Sequence, residues 1–233
     1  MDPLSQAALA GGLALGSGMR LYATVFMAGI LQRTGYLTLP EPLLVLGHEG
    51  VIAASALLMA AEFVADKVPA FDSLWDLIQG FVRVPAGAVL AWGSVAELDP
   101  TLAMFAALAG GGIAGTTHAS KTGSRMAINT SPEPFSNWGA SVAEDGLWAF
   151  CMWLMVAHPL IFLTLLIVLL IGMVVLFIEI VKATYTGTAS MIDHGLSMLV
   201  FIAFLVEFLM VPQASSSTFF LLMMAALIDV IAG

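Results

Sequence analysis

The sequence predicts an all-α protein, a polytopic bundle of transmembrane helices. Of its 233 residues, 60% are hydrophobic and only 10% are charged, whereas soluble domains carry about 25% charged residues. The mean hydropathy is +1.00. The apolar residues also fall into long runs, and a bilayer core of about 30 Å is crossed by about 20 helical residues. Composition and run length therefore agree on a membrane protein.

Six to eight segments are apolar and long enough to enter a bilayer. Those that begin at 51, 81 and 218 are short, which suits half-spanning or broken helices as well as full spans. The runs cover residues 7–31, 51–65, 81–95, 102–119, 138–157, 160–181, 196–211 and 218–232.

Basic residues predict the orientation, because Lys and Arg in short loops favour the cytoplasmic side. If all eight segments cross and the N-terminus is inside, Lys67, Lys121, Arg125 and Lys182 lie on the cytoplasmic side and Arg33 lies outside. We therefore expect both termini in the cytoplasm.

Charge and residue types exclude several functions. The net charge of −9 comes from 16 acidic and 7 basic residues, so nucleic acid is not an expected partner. The single cysteine, Cys151, excludes intrachain disulfides and a cysteine metal site. The four histidines lack metal-ligand spacing, and no nucleophile and base stand at a recognisable spacing. We expect no metal, no cofactor and no enzymatic activity; an enzyme that acts on lipid is the weakest alternative.

Glycine pairs at GxxxG spacing predict close helix packing in the first and fourth segments: Gly12 with Gly16, and Gly111 with Gly115. These glycine-rich segments each open a block of about three segments, 5–98 and 101–185. An odd number of spans in each block would make them inverted repeats, a plan that recurs in transporters. We expect a membrane core at 1–185 followed by a transmembrane hairpin at 190–233.

The polar stretch 62–76 and the helix after it carry carboxylates at helical spacing. Glu62 and Asp66 share a helix face, as do Asp72 and Asp76. Two carboxylates on one face of a low-dielectric site do not both ionise cheaply, which predicts a proton or cation relay. The candidate residues here are Glu62, Asp66, Asp72, Trp75, Asp76 and Arg83.

A structural interpretation of the same stretch stays open. Arg83 lies two turns after Asp76, so the two can pair if Gly80 does not break the helix. In this interpretation Lys67 and Arg83 neutralise the acids, and Asp66 lies at the water interface.

A second polar stretch runs from 129 to 138. Pro132 and Pro134 predict a loop, followed by a helix that begins at Trp138. The helix N-terminus, with nearby cations, could hold an anionic group; the alternative is a capped cytoplasmic turn. The candidate residues are Lys121, Asn129, Ser131, Glu133, Asn137 and Trp138, with Glu144 and Asp145 in the helix that follows.

Arg20 is the remaining candidate. It lies in the middle of the first long apolar run, where its side chain cannot easily reach water on either side. We expect an acidic partner, with Glu62, Glu144 and Asp145 as the candidates.

These motifs carry a family resemblance. The segments Glu62-Phe-Val-Ala-Asp-Lys-Val-Pro69, Asp72-x-x-Trp75-Asp76 and 129–138 with Glu144-Asp145 resemble the family known as domain of unknown function 4126. Over about residues 8–180 the resemblance implies a multi-spanning, mainly bacterial membrane protein without an assigned activity. We therefore expect the chain in the bacterial inner membrane. Residues after about 190 depart from that pattern and look like an added hairpin.

Two functions remain for a chain of this kind. The first is a transporter or channel for a small solute or ion, with buried carboxylates that couple movement to protons or cations. The second is a non-catalytic scaffold or accessory subunit of a larger membrane complex. Expected partners are the lipid bilayer, a small solute or cation, and either a second copy of the chain or another membrane subunit through the C-terminal hairpin.

Overall fold

The computed structural model describes residues 1–66, 69–129, 134–183, 188–210 and 217–232, and all regular structure among them is helical. The all-α prediction is confirmed. A 3-10 helix, η1 (Glu41–Gly47), separates the first two α-helices. The α-helices are α1 (Pro3–Arg33), α2 (Glu49–Ala65), α3 (Pro69–Val95), α4 (Pro100–Asn129), α5 (Pro134–Ala157), α6 (Pro159–Ala183), α7 (Thr188–Met210) and α8 (Ser217–Ala232).

Each of the eight α-helices corresponds to one predicted apolar run, but the polar ends of four were missed, including the start of α7, which begins at Thr188 rather than at 196. Helix α3 begins at Pro69 rather than at 81, and α4 continues to Asn129 rather than ending at 119. The helix expected at Trp138 begins at Pro134. Proline is the first residue of five of these helices, where its missing N–H costs nothing and its fixed φ suits the first turn.

The first turn of α1 has a side-chain cap. The carboxylate of Asp2 accepts hydrogen bonds from the amide of Ser5 at 3.0 Å and from its hydroxyl at 2.6 Å. Both bonds lower the pKa of Asp2 below its usual value, and the bond from the Ser5 hydroxyl has the larger effect. An acceptor at this position satisfies an amide that the helix leaves unpaired.

Three helical stretches of the described residues are long and apolar enough to cross a membrane: Pro3–Arg33, Trp138–Ala157 and Pro159–Glu179. A fourth span is possible if η1 and α2, which meet at 66°, act as one broken span. Helices α3 and α4 are long, at 27 and 30 residues, but they carry charged residues into the protein interior. The chain is a membrane protein; the orientation of its termini stays a prediction.

The chain forms two compact units, Met1–Ile167 and Val168–Gly233. In the first unit, α1 is central and packs against α2, α3, α4 and α5, and α3 packs along α4. In the second, α7 packs against α8, with the ring centroids of Phe204 and Phe219 5.4 Å apart. The boundary between the units falls within α6, and the predicted division of the chain near 185 stays a prediction.

Glycines allow close helix approach in the first unit. A Cβ on Gly18 of α1 would lie 2.5 Å from the carbonyl oxygen of Ala114 in α4, and one on Gly12 would lie 2.1 Å from Met155 Sδ. Gly111 and Gly115 make only ordinary contacts, 3.4 Å or more from a built Cβ. The close approach that the sequence predicts for the fourth segment therefore occurs one residue earlier, at Gly110.

Helix α1 is interrupted near its middle. Arg20 has φ −145° and ψ 75°, which are not helical angles, and the chain is kinked there. Irregular backbone inside a membrane protein requires partners from surrounding protein or water. The break therefore places Arg20 and its backbone at the centre of the first unit.

Candidate functional site

One network of charged side chains joins α1, α2, α3, α4 and α5 around the break in α1. Seven of its nine members are at most 6% exposed; the side chains of Glu144 and Asp145 are 18% and 37% exposed. The cations are Arg20, Arg83, Lys121 and Arg125, and the acids are Glu62, Asp66, Asp76, Glu144 and Asp145.

Arg20 bonds acids on two sides. Its Nη1 pairs with Asp66, and its Nη2 lies 2.8 Å from Asp145 Oδ1 and 3.5 Å from Ser141 Oγ. The predicted acidic partner is confirmed, and Asp145 was among the candidates. The structural interpretation of the sequence placed Asp66 at the water interface, but it is fully buried. It caps the C-terminus of α2, which ends at the depth of Arg20.

Arg83 forms ion pairs with two further carboxylates. Its Nη2 lies 2.5 Å from Glu62 Oε1, and its Nη1 lies 3.1 Å from Asp76 Oδ1 and 3.0 Å from His118 Nδ1. The helix continues through Gly80, so the predicted pairing of Asp76 with Arg83 is confirmed. Arg83 Nη1 also donates to the carbonyl of Gly18 at 3.5 Å, beside the break in α1.

Helix α4 supplies the other two cations. Lys121 Nζ lies 3.1 Å from Asp76 Oδ1 and 3.7 Å from Asp66 Oδ1. Arg125 binds Glu144 through two parallel hydrogen bonds of 2.9 and 3.0 Å. The sequence interpretation had Lys121 and Arg125 flank a cytoplasmic turn or add positive charge to an anion site. In the structure both are buried and paired with acids, and the side of the membrane on which they lie stays a prediction. The reason for their burial is the length of α4, which carries both side chains between α3 and α5.

The network contains more negative than positive charge. Among the described side chains, with all nine groups ionised, five carboxylates face four cations, which leaves one excess negative charge. Among the described atoms of the network, Glu62 Oε2, Asp66 Oδ1 and Asp76 Oδ2 are buried without a hydrogen-bond partner, as are Arg20 Nε and Arg83 Nε. Asp66 Oδ1 still lies 3.7 Å from Lys121 Nζ. A buried charge without compensation is costly, so the arrangement favours uptake of one positive charge, either a proton or a cation.

Uncharged side chains extend the network, and the sequence interpretation missed them. Trp148 Nε1 donates to Thr24 Oγ1 at 2.9 Å, and that hydroxyl donates to the carbonyl of Arg20 at 2.8 Å. Gln79 Nε2 donates to the hydroxyl of Tyr22 at 3.0 Å. The available signal was sequence spacing, because Thr24, Gln79 and Trp148 each lie three or four residues from a network member on the same helix. The two pairs that illustrate this are Thr24 with Arg20 and Gln79 with Asp76 or Arg83.

Thr24→Val tests this extension. The substitution keeps the shape of the side chain but removes a buried hydroxyl that both accepts and donates, and it leaves the indole N–H of Trp148 without its partner. We expect a loss of about 1–3 kcal/mol in the free energy of unfolding, measured by denaturant titration in detergent. Thr116→Val is the matched control, because the exposed Thr116 hydroxyl bonds only its own helix. Equal stability of the two variants would contradict the prediction.

The other predicted site residues are not among the nine charged members, or their side chains lie outside the described residues. Trp75 is half-buried, and Trp138 is exposed at the start of α5. The side chains of Asp72, Asn129, Ser131, Glu133 and Asn137, and also of Lys67, fall outside the described residues.

A cavity of about 520 Å³ adjoins the network between α2 and α5, with α1 as its floor. Arg20, Glu62 and Asp145 are its charged residues, and its other walls include Phe63 and Trp148. Among the described residues, no group of three or more His, Cys, Asp or Glu side chains is placed to hold a metal ion.

Comparisons with known proteins agree with the motifs that the network contains. The family model described as "Domain of unknown function (DUF4126)" matches residues 7–179. No curated protein and no solved structure matches the chain. The match covers α1 to most of α6 and includes every member of the charge network. The chain therefore belongs to the family described as domain of unknown function 4126.

Proposed function

We propose that this protein is a transporter or channel that moves a small solute or ion, with protons or cations bound by the buried carboxylates of the charge network. The observation that carries the proposal is the excess of one carboxylate in that network, together with the two unpartnered oxygens of Glu62 and Asp76. A group of this composition gains stability when it takes up one positive charge, and it can release that charge again.

The interruption of α1 supports this proposal. Broken helices recur at the substrate and ion sites of secondary transporters, where the irregular backbone provides polar groups at membrane depth. Here the break occurs at Arg20, which is buried and forms ion pairs with two acids. Ionisable side chains inside a membrane protein are expensive and commonly mark ion or proton paths.

Glu62 and Asp76 are the proposed carriers of the positive charge. Each bonds Arg83 through one oxygen and keeps the other without a hydrogen-bond partner. A proton on either free oxygen neutralises the excess charge without breaking the pairing of Arg83. Asp145, whose side chain is 37% exposed, connects the network to the cavity and offers the charge a way out.

Glu62→Gln tests the carrier role. The substitution removes the excess negative charge and retains a hydrogen-bond acceptor for Arg83, so we expect a folded protein. We expect proton-coupled or cation flux to fall to the level of protein-free liposomes. The measurement uses purified protein in liposomes with a pH-sensitive dye inside, under an imposed pH gradient and then an imposed potassium gradient.

Glu49→Gln is the control for the loss of one carboxylate. Glu49 lies at the surface, where it pairs with the exposed Arg33. The flux measured with the Glu49→Gln variant should therefore equal that of the wild type. Wild-type flux in Glu62→Gln, with intact folding, would rule out Glu62 as the carrier. Wild-type flux in Asp76→Asn as well would overturn the proposal.

The pairing of every cation in the network favours a second candidate, a membrane scaffold or accessory subunit. In that case the network only holds α1 to α5 in place, and the α7–α8 hairpin docks a partner subunit or a second copy. It predicts no flux above background in the wild type, and a complex that survives purification in mild detergent. A wild-type protein that purifies alone and conducts protons or cations would exclude it.

A further inference from the structure

We propose that the cavity between α2 and α5 binds a lipophilic organic cation that carries a single positive charge. The inference rests on the proposed transport function and names its substrate class. Three observations support it: the composition of the cavity walls, the charges at its floor, and the position of its rim.

The walls of the cavity suit an apolar ligand body. Its volume of about 520 Å³ lies within the range of about 300–1,000 Å³ that is typical of small-molecule sites. Met59, Phe63 and Val64 of α2 form one side, and Trp148 of α5 forms the other. Aromatic side chains also attract cations through their ring quadrupoles.

The charges at the floor favour a cation over an anion. Arg20 already bonds Asp66 and Asp145, so its charge is compensated. Glu62 lines the cavity, is 1% exposed, and has one oxygen without a hydrogen-bond partner. Asp145 also faces the cavity. An anion in this position would meet two carboxylates, whereas a cation would compensate the excess charge of the network.

An organic cation fits this site better than a metal ion. Metal ions such as Mg²⁺ and Ca²⁺ require six or more oxygen ligands at close range, and the cavity offers two carboxylates among apolar walls. Phe63 and Val64 are 50% and 65% exposed, so the rim of the cavity is apolar and lies at the surface of the first unit. A ligand dissolved in the apolar part of a bilayer can therefore reach the charged floor.

Two ions of the same shape and opposite charge test the inference. Tetraphenylphosphonium and tetraphenylborate differ in the sign of the charge, so their binding separates charge recognition from simple partition into detergent. We expect saturable binding of tetraphenylphosphonium to the purified full-length protein by isothermal titration calorimetry, and no saturable binding of tetraphenylborate. Asp145→Asn should weaken tetraphenylphosphonium binding at least about tenfold, because it removes one of the two carboxylates at the cavity.

Glu49→Gln is again the matched control, because it removes a surface carboxylate that lies away from the cavity. Its affinity for tetraphenylphosphonium should equal that of the wild type. Ala149→Leu is the second variant: it leaves every charge in place, narrows the cavity, and should also weaken binding. Equal binding of both ions, or unchanged affinity in both Asp145→Asn and Ala149→Leu, would overturn the inference.

The liposome assay separates this inference from the proposed function. Proton or cation flux that depends on Glu62, without tetraphenylphosphonium binding, would overturn the inference and leave transport standing. Saturable tetraphenylphosphonium binding in a protein without any flux would support the site and overturn transport.

Discussion

Replacing Arg83 with methionine is expected to lower the free energy of unfolding by about 3–5 kcal/mol. Arg83 is fully buried and bonds Glu62, Asp76 and the carbonyl of Gly18. Its removal would leave the network with two excess negative charges instead of one. Glu62 would lose its ion-pair partner, and Asp76 would keep only Lys121 of its two. Buried charges without a partner cost far more than the net value of the original pair.

Denaturant titration in detergent, followed by circular dichroism, measures this loss. The matched control is Arg33→Met, which removes an arginine from a surface pair whose side chains are 50% and 77% exposed. Exposed pairs contribute about 0–1 kcal/mol, so the control should remain close to the wild type. An Arg83→Met protein as stable as Arg33→Met would contradict the assignment of Arg83 to a buried charge network.

The double variant Arg83→Met/Glu62→Gln identifies the cause of the loss. Neutralising Glu62 returns the network to one excess negative charge, so part of the stability should be recovered. Residues that share a contact are expected to deviate from additivity by about 0.5–3 kcal/mol. A double variant whose loss equals the sum of the two single losses would assign the effect of Arg83 to packing instead of charge.

Gly110→Ala is the second substitution with a large expected effect. A Cβ at Gly110 would lie 2.3 Å from Ala91 Cβ and 2.7 Å from the carbonyl oxygen of Gly87. The second contact is with backbone, so α3 and α4 must move apart to accommodate one methyl group. We expect a loss of about 1–3 kcal/mol, together with weaker contacts between Asp76 or Arg83 on α3 and Lys121 on α4.

Gly112→Ala, in the same helix, is the control for Gly110→Ala. A Cβ at Gly112 meets nothing within 4 Å, and alanine is the better helix former by about 1 kcal/mol. The control should therefore be at least as stable as the wild type in the same titration. A loss at Gly112→Ala as large as that at Gly110→Ala would contradict the assignment of the effect to the contact between α3 and α4 at Gly110.

Apolar run length predicted the presence of all eight α-helices but not their polar ends. The residues 69–80 of α3, 120–129 of α4 and 134–137 of α5 contain charges, prolines or polar residues that interrupt an apolar run. Where the side chains of these stretches are described, the charged ones have partners inside the protein, such as Asp76 with Arg83 and Lys121. A criterion based on transfer to lipid does not register partners of this kind.

Helical spacing predicted only the pairs within one element. Asp76 and Arg83 lie on the same helix face, two turns apart, so their contact follows from the sequence. The partners of Arg20 lie on α2 and α5, and the sequence places several acids within equal reach of it. Which acid Arg20 meets depends on where α2 ends and on how α5 is rotated, and Asp66 was therefore missed.

The sequence by itself determined that this chain is an all-helical membrane protein of the domain of unknown function 4126 family, and that Arg20 requires acidic partners. Those conclusions depend on composition, run length and local motifs, which are properties of consecutive residues. Only the tertiary structure decided that four cations and five acids from five helices form one network. It also decided that Lys121 and Arg125 are buried there. Residues far apart in sequence meet through helix packing, and the close approaches at Gly18 and Gly110 determine which of them meet.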